Sequence, residues 1–219
     1  MSVLCLTGWQ QPADALKTIA PAAMHFDYDA FDNVEKLFLA LPPEPRLAIG
    51  WSLGGQLLVR AIAGGHVKPD ALMLLGAPFQ WVADAEFPGG VGQDVADEVM
   101  HNYTANPKRM LTGFHTLIAL GDSKEREIIS ALDATAAVWK NGAYWLGQLA
   151  KTSCRALDFT GFPPTTIIHG LKDRVIALDN AQAYGKTLAG AELVLWPDCA
   201  HAPHLHNPED LRGRIAGYV

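Results

Sequence analysis

Residues 49–55 read Ile-Gly-Trp-Ser-Leu-Gly-Gly, and they hold a serine between glycines where two different patterns meet. Residues 46–49 form an apolar run that is typical of a buried strand, and residues 56–63 have a helical pattern. A strand that leads directly into a helix requires a sharp turn, and the side chain of Ser52 would point outward from its tip. The flanking glycines remove side chains that would collide where strand and helix approach each other. The stretch therefore predicts a nucleophilic serine; the alternative is a serine that only caps the helix.

The composition limits the class of protein. The chain has 219 residues, of which 49% are hydrophobic, and a net charge of −6. These values suit one folded unit with a substantial core and argue against general nucleic-acid binding. Cys5, Cys154 and Cys199 lie too far apart to indicate a disulfide framework or a zinc site, and no run reaches the roughly 18 apolar residues of a membrane span. We therefore expect a cytoplasmic protein that binds neither nucleic acid nor membrane.

Strand and helix patterns alternate along most of the chain. This alternation predicts an α/β fold with a mostly parallel sheet of about six strands and helices on both faces. The predicted strands are residues 3–7, 24–28, 46–51, 71–75, 165–169 and 192–196. The predicted helices of the alternating part are residues 13–20, 31–41, 56–63, 180–188 and 208–218.

The alternation stops after the fourth predicted strand. Residues 79–162 contain helical patterns but no clear strand. An insertion at this point would lie above the C-terminal edge of the sheet, where open α/β sheets bind ligands. We expect residues 79–162 to form a helical cap on a core made of residues 1–78 and 163–219; the alternative is a helical segment with no role in substrate binding. The predicted helices of the insertion are residues 95–103, 107–120, 124–135 and 143–149.

A serine hydroxyl needs a neighbouring base and an acid that orients this base. Both residue types follow predicted strands. Asp173 lies in the loop after residues 165–169, and His201 lies in the loop after residues 192–196. Because the C-terminal ends of parallel strands meet at one edge of a sheet, we predict that Ser52, Asp173 and His201 form a catalytic triad.

The predicted triad also needs donors for the charge that develops on the attacked carbonyl oxygen. One expected donor is the backbone N–H of Leu53, which follows the serine directly, and the other is the N–H of Trp9 in the loop after the first strand. Aromatic walls suit an apolar acyl chain. The predicted substrate-binding residues are Trp9, Trp51, Phe79, Trp81, Phe114 and Trp139.

Other residues near His201 allow competing interpretations. Asp198 could replace Asp173 as the acid, but it lies only three residues from His201 on the same loop. His204 and His206 could join His201 in a metal site, but the serine already accounts for one histidine and no second ligand set is evident. We therefore expect no metal, and we expect His204 and His206 at the surface or at the rim of the site. The residues expected to have no catalytic role are His169 and Cys199.

Two stretches resemble a known family. Residues 47–55, Leu-Ala-Ile-Gly-Trp-Ser-Leu-Gly-Gly, and residues 199–210, Cys-Ala-His-Ala-Pro-His-Leu-His-Asn-Pro-Glu-Asp, resemble the pimeloyl-acyl-carrier-protein methyl ester esterases of biotin synthesis. These enzymes belong to the α/β-hydrolase superfamily, so the resemblance implies the α/β-hydrolase fold and places the family's acid on Asp173. It covers the predicted sheet core and fades in the cap.

The resemblance implies a serine carboxylesterase that cleaves an ester through an acyl-enzyme and needs no cofactor. Its small acyl ester substrate would be carried on an acidic acyl carrier protein, which a basic surface would attract. Residues 108–155 contain seven basic and four acidic residues, an excess of +3 in a chain of −6. This excess favours docking of the carrier on the cap. The alternatives are a general short-chain carboxylesterase, a thioesterase, or a non-catalytic ligand-binding protein on a hydrolase scaffold.

Overall fold

A six-stranded sheet forms the centre of the computed structural model, which describes residues 2–218. The strands are β1 (Val3–Leu6), β2 (Met24–His25), β3 (Leu47–Trp51), β4 (Ala71–Leu75), β5 (Thr165–Gly170) and β6 (Glu192–Trp196). They lie in the order β2-β1-β3-β4-β5-β6, and every neighbouring pair is parallel. This confirms the predicted parallel sheet.

Nine α-helices lie within residues 2–218. They are α1 (Val34–Ala40), α2 (Leu53–Ala63), α3 (Gln93–Ala105), α4 (Pro107–Ala119), α5 (Glu125–Ala134), α6 (Gly142–Lys151), α7 (Leu178–Thr187), α8 (Pro203–His206) and α9 (Pro208–Ile215). Helix α2 packs on β1, β3 and β4, and α7 packs on β5 and β6. None of the helices in the described part of the chain is long and apolar enough to cross a membrane.

The segment between β4 and β5 lies entirely within residues 2–218, and it contributes no strand to the sheet. It holds α3, α4, α5 and α6, each within two residues of its predicted bounds. An isolated bridge between Gln80 and Ser153 joins the two ends of the segment, and a second one, between Val82 and Val91, lies within its start. The division of the chain into core and cap remains a prediction.

Two predicted elements, helix α1 and strand β2, are shorter in the structure than the sequence predicts. Helix α1 begins after Asn33, whose side chain accepts a hydrogen bond from the N–H of Lys36, and not at residue 31. Strand β2 ends at His25, whereas the prediction continued to Tyr28. That tyrosine instead begins a 3₁₀ turn, and its hydroxyl donates to the carbonyl of Thr7 at 3.0 Å.

Two other short segments also differ from the prediction. The helix expected at residues 13–20 is a single 3₁₀ turn, Ala15–Thr18, followed closely by Pro21. A proline disfavours helical backbone in the residue before it, which shortens the helix. Helix α8 was not predicted, because its four residues are too few to show a helical period.

The junction of β3 and α2 has the sharp turn that the serine-glycine stretch predicts. Ser52 lies at its tip with φ 53° and ψ −126°, a backbone conformation that a residue with a side chain rarely adopts. A Cβ on Gly50 would overlap the backbone of Gly55, and a Cβ on Gly54 would overlap the carbonyl oxygen of Leu6. The strand and the helix can therefore approach this closely only because glycines lie at the crossing.

His204 is buried, with 1% of its surface exposed, which corrects the expectation that it lies at the surface. Helix α8 turns its ring against Trp51, with the two ring centroids 4.2 Å apart. Burial, which is the larger cause, and the neighbouring His201 together lower the pKa of His204 to about 3. The imidazole is therefore neutral at neutral pH and belongs to the core.

The close approach of β3 and α2 at Gly50 can be tested by adding one methyl group at this position. We expect Gly50→Ala to lower the free energy of unfolding by about 1–3 kcal/mol, because its Cβ meets backbone that cannot move aside. Gly213→Ala in α9 is the control, since its Cβ meets nothing within 4 Å, and it should raise stability by about 0.5–1 kcal/mol. Urea unfolding measures both variants. A Gly50→Ala protein as stable as the wild type would contradict the close crossing.

Burial of His204 predicts a loss of stability in acid. Below the ordinary pKa of 6.5 the unfolded chain binds a proton that the folded chain excludes down to about pH 3, so stability falls as the pH falls through this window. Between pH 7 and pH 5 the wild type should lose about 2 kcal/mol more than His204→Phe. Urea unfolding at the two pH values measures this difference, and equal losses would contradict a neutral, buried imidazole.

Candidate active site

Ser52, His201 and Asp173 meet at the C-terminal edge of the sheet, beyond β3, β6 and β5. The Oγ of Ser52 lies 2.9 Å from Nε2 of His201, and Nδ1 of the same ring lies 2.7 Å from Oδ2 of Asp173. The histidine and aspartate side chains are each 1% exposed. The structure therefore brings the three predicted residues into one hydrogen-bonded chain that is shielded from bulk water.

The second oxygen of Asp173 is bound by the backbone. Its Oδ1 accepts hydrogen bonds from the N–H groups of Val175 and Ile176, both at 2.8 Å. This leaves Oδ2 to accept a hydrogen bond from Nδ1–H of His201. With the proton on Nδ1, the lone pair of Nε2 faces the Ser52 hydroxyl, which is the tautomer that a base requires.

Gly76, which was not among the predicted site residues, makes room for the histidine–aspartate pair. Its φ is 52°, and a Cβ there would lie 3.2 Å from Nδ1 of His201 and 3.4 Å from Oδ2 of Asp173. Two constraints therefore favour glycine at the end of β4, namely a left-handed backbone and a close approach to the site. The signal in the sequence is a glycine directly after a buried strand.

The competing residues occupy other positions. Asp198, the alternative acid, is exposed, whereas the carboxyl of Asp173 is buried. His169 is buried, with Nε2 at 3.8 Å from Oδ2 of Asp173, and burial lowers its pKa so that it is neutral at neutral pH. Cys199 is buried too, and burial raises the pKa of its thiol well above the usual range. His206 is partly buried and bonds to Asp122, not to the triad residues.

The backbone N–H groups of Trp9 and Leu53 are candidates for binding an oxyanion. Neither group donates a hydrogen bond to any residue within the described range. The two loops lie close together, since a Cβ on Gly8 would be 3.4 Å from the Cβ of Ser52. Buried N–H groups are nearly always paired in proteins, so two unpaired groups beside one serine are suited to an anionic oxygen of a ligand.

The loop that carries Trp9 is held by the inserted helices. The indole Nε1–H of Trp9 donates to the carbonyl of Gly142 at 2.7 Å. The buried side chain of Gln10 donates to the hydroxyl of Tyr103 at 2.8 Å and accepts from the N–H of Trp139 at 3.1 Å. Gln10 has a φ of 61°, which is rare for a residue other than glycine, and these bonds stabilise that conformation.

A cavity of about 600 Å³ opens beside Ser52. Trp9, Trp81 and Phe114, three of the six predicted substrate-binding residues, line it. Eight further apolar lining residues were not predicted, although those on helices recur at intervals of three, four or seven, which was a usable signal. These residues are Val91, Val95, Val99, Met110, Leu117, Leu146, Leu149 and Val175.

The other three predicted substrate-binding residues, Trp51, Phe79 and Trp139, do not line this cavity. The indole of Trp51 lies away from the cavity, and its Nε1–H donates to the carbonyl of His201 at 2.7 Å. Phe79 packs on the ring of Tyr184 at a centroid distance of 5.0 Å. Trp139 packs on the ring of Tyr28 at a centroid distance of 4.8 Å. All three contribute to packing around the site.

Comparisons with known proteins agree with this geometry. The Alpha/beta hydrolase family matches residues 5–214. The chain is similar to a pimeloyl-[acyl-carrier protein] methyl ester esterase of Aromatoleum aromaticum, with 33% identity over 77% of this chain and 71% of the relative. A protein of the same name from Nitrosomonas europaea is 27% identical over 83% of this chain and 74% of the relative.

Solved structures show the same fold. An esterase from Exiguobacterium antarcticum has a TM-score of 0.77 and 18% identity, and the match covers 100% of this chain and 91% of the esterase. A bromoperoxidase from Bacillus anthracis has a TM-score of 0.79 and 17% identity, and the match covers 99% of this chain and 91% of the bromoperoxidase. The fold and the family that the sequence resemblance implied are thus confirmed. The chain belongs to the alpha/beta hydrolase family.

Proposed function

We propose that the protein is a serine carboxylesterase in which Ser52 is the nucleophile, His201 the general base and Asp173 the residue that orients the base. The observation that carries this proposal is the hydrogen-bonded chain from the carboxylate of Asp173 through His201 to the Ser52 hydroxyl. A base and its orienting acid activate a hydroxyl that reacts poorly by itself at neutral pH.

In the first half of the proposed cycle, Nε2 of His201 takes the hydroxyl proton while Oγ of Ser52 attacks the ester carbonyl carbon. The carbonyl oxygen becomes an anion that accepts hydrogen bonds from the N–H groups of Trp9 and Leu53. His201 then gives its proton to the leaving alkoxide oxygen. The carbon–oxygen bond breaks, the alcohol departs, and the acyl group remains on Ser52.

In the second half, water releases the acid. His201 takes a proton from the water as it attacks the acyl carbon, and returns this proton to Oγ of Ser52 when the acyl bond breaks. Asp173 stabilises the protonated ring in both halves. Because His201 carries each transferred proton, the proposed cycle needs no cofactor.

The substrate that we propose is a pimeloyl-acyl-carrier-protein methyl ester, so that the released alcohol is methanol. Two relatives carry this substrate in their names, and the apolar walls of the cavity suit an acyl chain. Turnover on matched methyl esters, aryl esters and thioesters separates this proposal from a general carboxylesterase or a thioesterase. Restored growth of a biotin-requiring bacterium that lacks its own esterase tests the substrate directly.

We also propose that residues 79–162 act as a cap and that an acidic carrier docks on them. Helices α3, α4 and α6 supply much of the cavity wall, which supports the cap. Lys108 and Arg109 are exposed at the start of α4, and Arg109 also lines the cavity. Arg155 contributes less than its charge suggests, because it pairs with Asp84 and Glu86 at 2.7 and 2.8 Å.

Ser52→Ala tests the nucleophile. We expect kcat for methyl ester hydrolysis to fall by roughly 10⁴–10⁶, because no other group can form the acyl-enzyme, while urea unfolding stays close to that of the wild type. A fluorophosphonate should label the wild type at Ser52 and leave the variant unlabelled by mass spectrometry. Ser130→Ala, at an exposed position on α5, is the control and should behave like the wild type. Wild-type turnover in Ser52→Ala would exclude this serine.

Reversing charge at Lys108 and Arg109 tests carrier docking. The double variant Lys108→Glu/Arg109→Glu should lower kcat/KM for the carrier-linked methyl ester roughly tenfold, because the new charges repel an acidic carrier. An uncharged small methyl ester should lose much less kcat/KM than the carrier-linked ester, because it has no acidic carrier for the new charges to repel. Lys186→Glu serves as the control, because Lys186 is an exposed residue of α7 and lies outside residues 79–162. Equal kcat/KM values for the double variant and the control would argue against docking at the start of α4.

A further inference from the structure

The loop that carries His201 is bound to the turn between α4 and α5, which belongs to the inserted helical segment. The N–H of His201 donates to the carbonyl of Ile118 at 3.0 Å. Nearby, the N–H of Ser123 donates to the carbonyl of Asp198, also at 3.0 Å. The candidate base is therefore held from the side of the insertion as well as by Asp173.

Asp122 makes the central contact of this turn. Its Oδ2 accepts a hydrogen bond from the N–H of Ala200 at 2.7 Å, and Ala200 is the residue directly before His201. Its Oδ1 accepts from the N–H of Lys124 and from Nδ1 of His206, both at 2.8 Å. The carboxyl group is completely buried, with 0% of the side chain exposed. Three donors thus fix a buried acid in one orientation.

A metal site is the competing interpretation of this cluster, because atoms of Asp122, Cys199 and His206 lie within 4.8 Å of one another. The hydrogen bonds oppose it. Three donors already occupy the oxygens of Asp122, and two of them are backbone N–H groups that a metal ion cannot replace. Burial also raises the pKa of the Cys199 thiol, whose Sγ–H donates to the carbonyl of Ala200 at 3.3 Å.

The position of His201 leaves little tolerance for movement. Its Nε2 lies 2.9 Å from Oγ of Ser52, and proton transfer requires about 2.6–3.2 Å between these atoms. A displacement of 1 Å in a reacting group can cost about 10²-fold in rate. A bond to the backbone next to His201 is therefore well placed to control how fast the base works.

We propose that Asp122 is a positioning residue for the reaction. It holds the backbone at Ala200 and thereby keeps the imidazole of His201 in line with Ser52, so that the inserted segment sets the geometry of the base. The proposal rests on the proposed function, since it assigns His201 the role of base. The hydrogen bonds of the Asp122 carboxylate go to the turn, to His206 and to the loop of His201, so it acts on the reaction only through that loop.

The test compares Asp122→Asn with a matched control, Asp133→Asn. Asp133 on α5 also pairs with a histidine, since its Oδ1 lies 2.7 Å from Nδ1 of His115 on α4. This pair does not involve the loop of His201. In Asp122→Asn, an amide NH₂ replaces one carboxylate oxygen. This donor then faces one of the backbone N–H groups from which the carboxylate accepts a hydrogen bond, so that bond is lost. We expect kcat to fall about 10–100-fold with KM within about twofold, and labelling of Ser52 by a fluorophosphonate to slow equally. The control should match the wild type in both.

A second variant separates positioning from folding. The hydroxyl of Asp122→Ser can still accept from the N–H of Lys124 in the turn, but it is too short to reach Ala200 as well. We expect this variant to fold, as judged by thermal unfolding, and to lose kcat as Asp122→Asn does. Wild-type kcat in a folded Asp122→Ser protein would overturn the positioning role.

A spectroscopic measurement keeps this test apart from the proposed function. The proton that His201 shares with Asp173 should give a far-downfield proton NMR signal, which needs no substrate. We expect this signal to shift or broaden in Asp122→Asn and Asp122→Ser and to stay in place in Asp133→Asn. An unchanged signal in all three would overturn the proposal about Asp122. A wild type that hydrolyses no ester and resists labelling at Ser52 would refute the proposed function, whatever the signal shows.

Discussion

The close crossing of β3 and α2 is the constraint on which the rest of the site depends. Gly50 and Gly55 allow the strand and helix backbones to touch, and the turn between them holds Ser52 at a φ of 53°. This strained turn lifts the hydroxyl above the sheet and leaves the N–H of Leu53 without a protein acceptor among the described residues. Ser52, the candidate nucleophile, and Leu53, a candidate oxyanion donor, therefore lie on a single piece of backbone, and the core packed around it stabilises the strain.

The inserted helices hold the site from two sides. On one side, Gly142 and Tyr103 bind Trp9 and Gln10, which fixes the loop with the second candidate oxyanion donor. On the other side, the turn with Asp122 binds the loop of His201. The inserted helices line the cavity and also hold the loops of Trp9 and His201, so they link the shape of the cavity to the geometry of the candidate triad. A change in the insertion can therefore alter kcat without touching the triad.

Three buried imidazoles lie near one another, and their surroundings separate their roles. Burial lowers the pKa of His169 and of His204, so both are neutral packing residues at neutral pH. His201 differs in having the carboxylate of Asp173 at one nitrogen and a hydroxyl at the other. A ring with an acid on one side and an alcohol on the other can take up a proton and return it, which the surroundings of the two neutral rings do not favour.

Local sequence determined most of the elements of this protein and placed each residue of the candidate triad just beyond a strand. Strand runs, the glycines around Ser52, and an acid and a histidine just beyond later strands are short-range features, and each predicted its own position. Tertiary structure alone decided which way side chains face. It turned Trp51 from the cavity toward His201, buried His204 against Trp51, and brought Asp122 to a loop 78 residues away. These contacts depend on how distant elements pack, and no local period in the sequence encodes that packing.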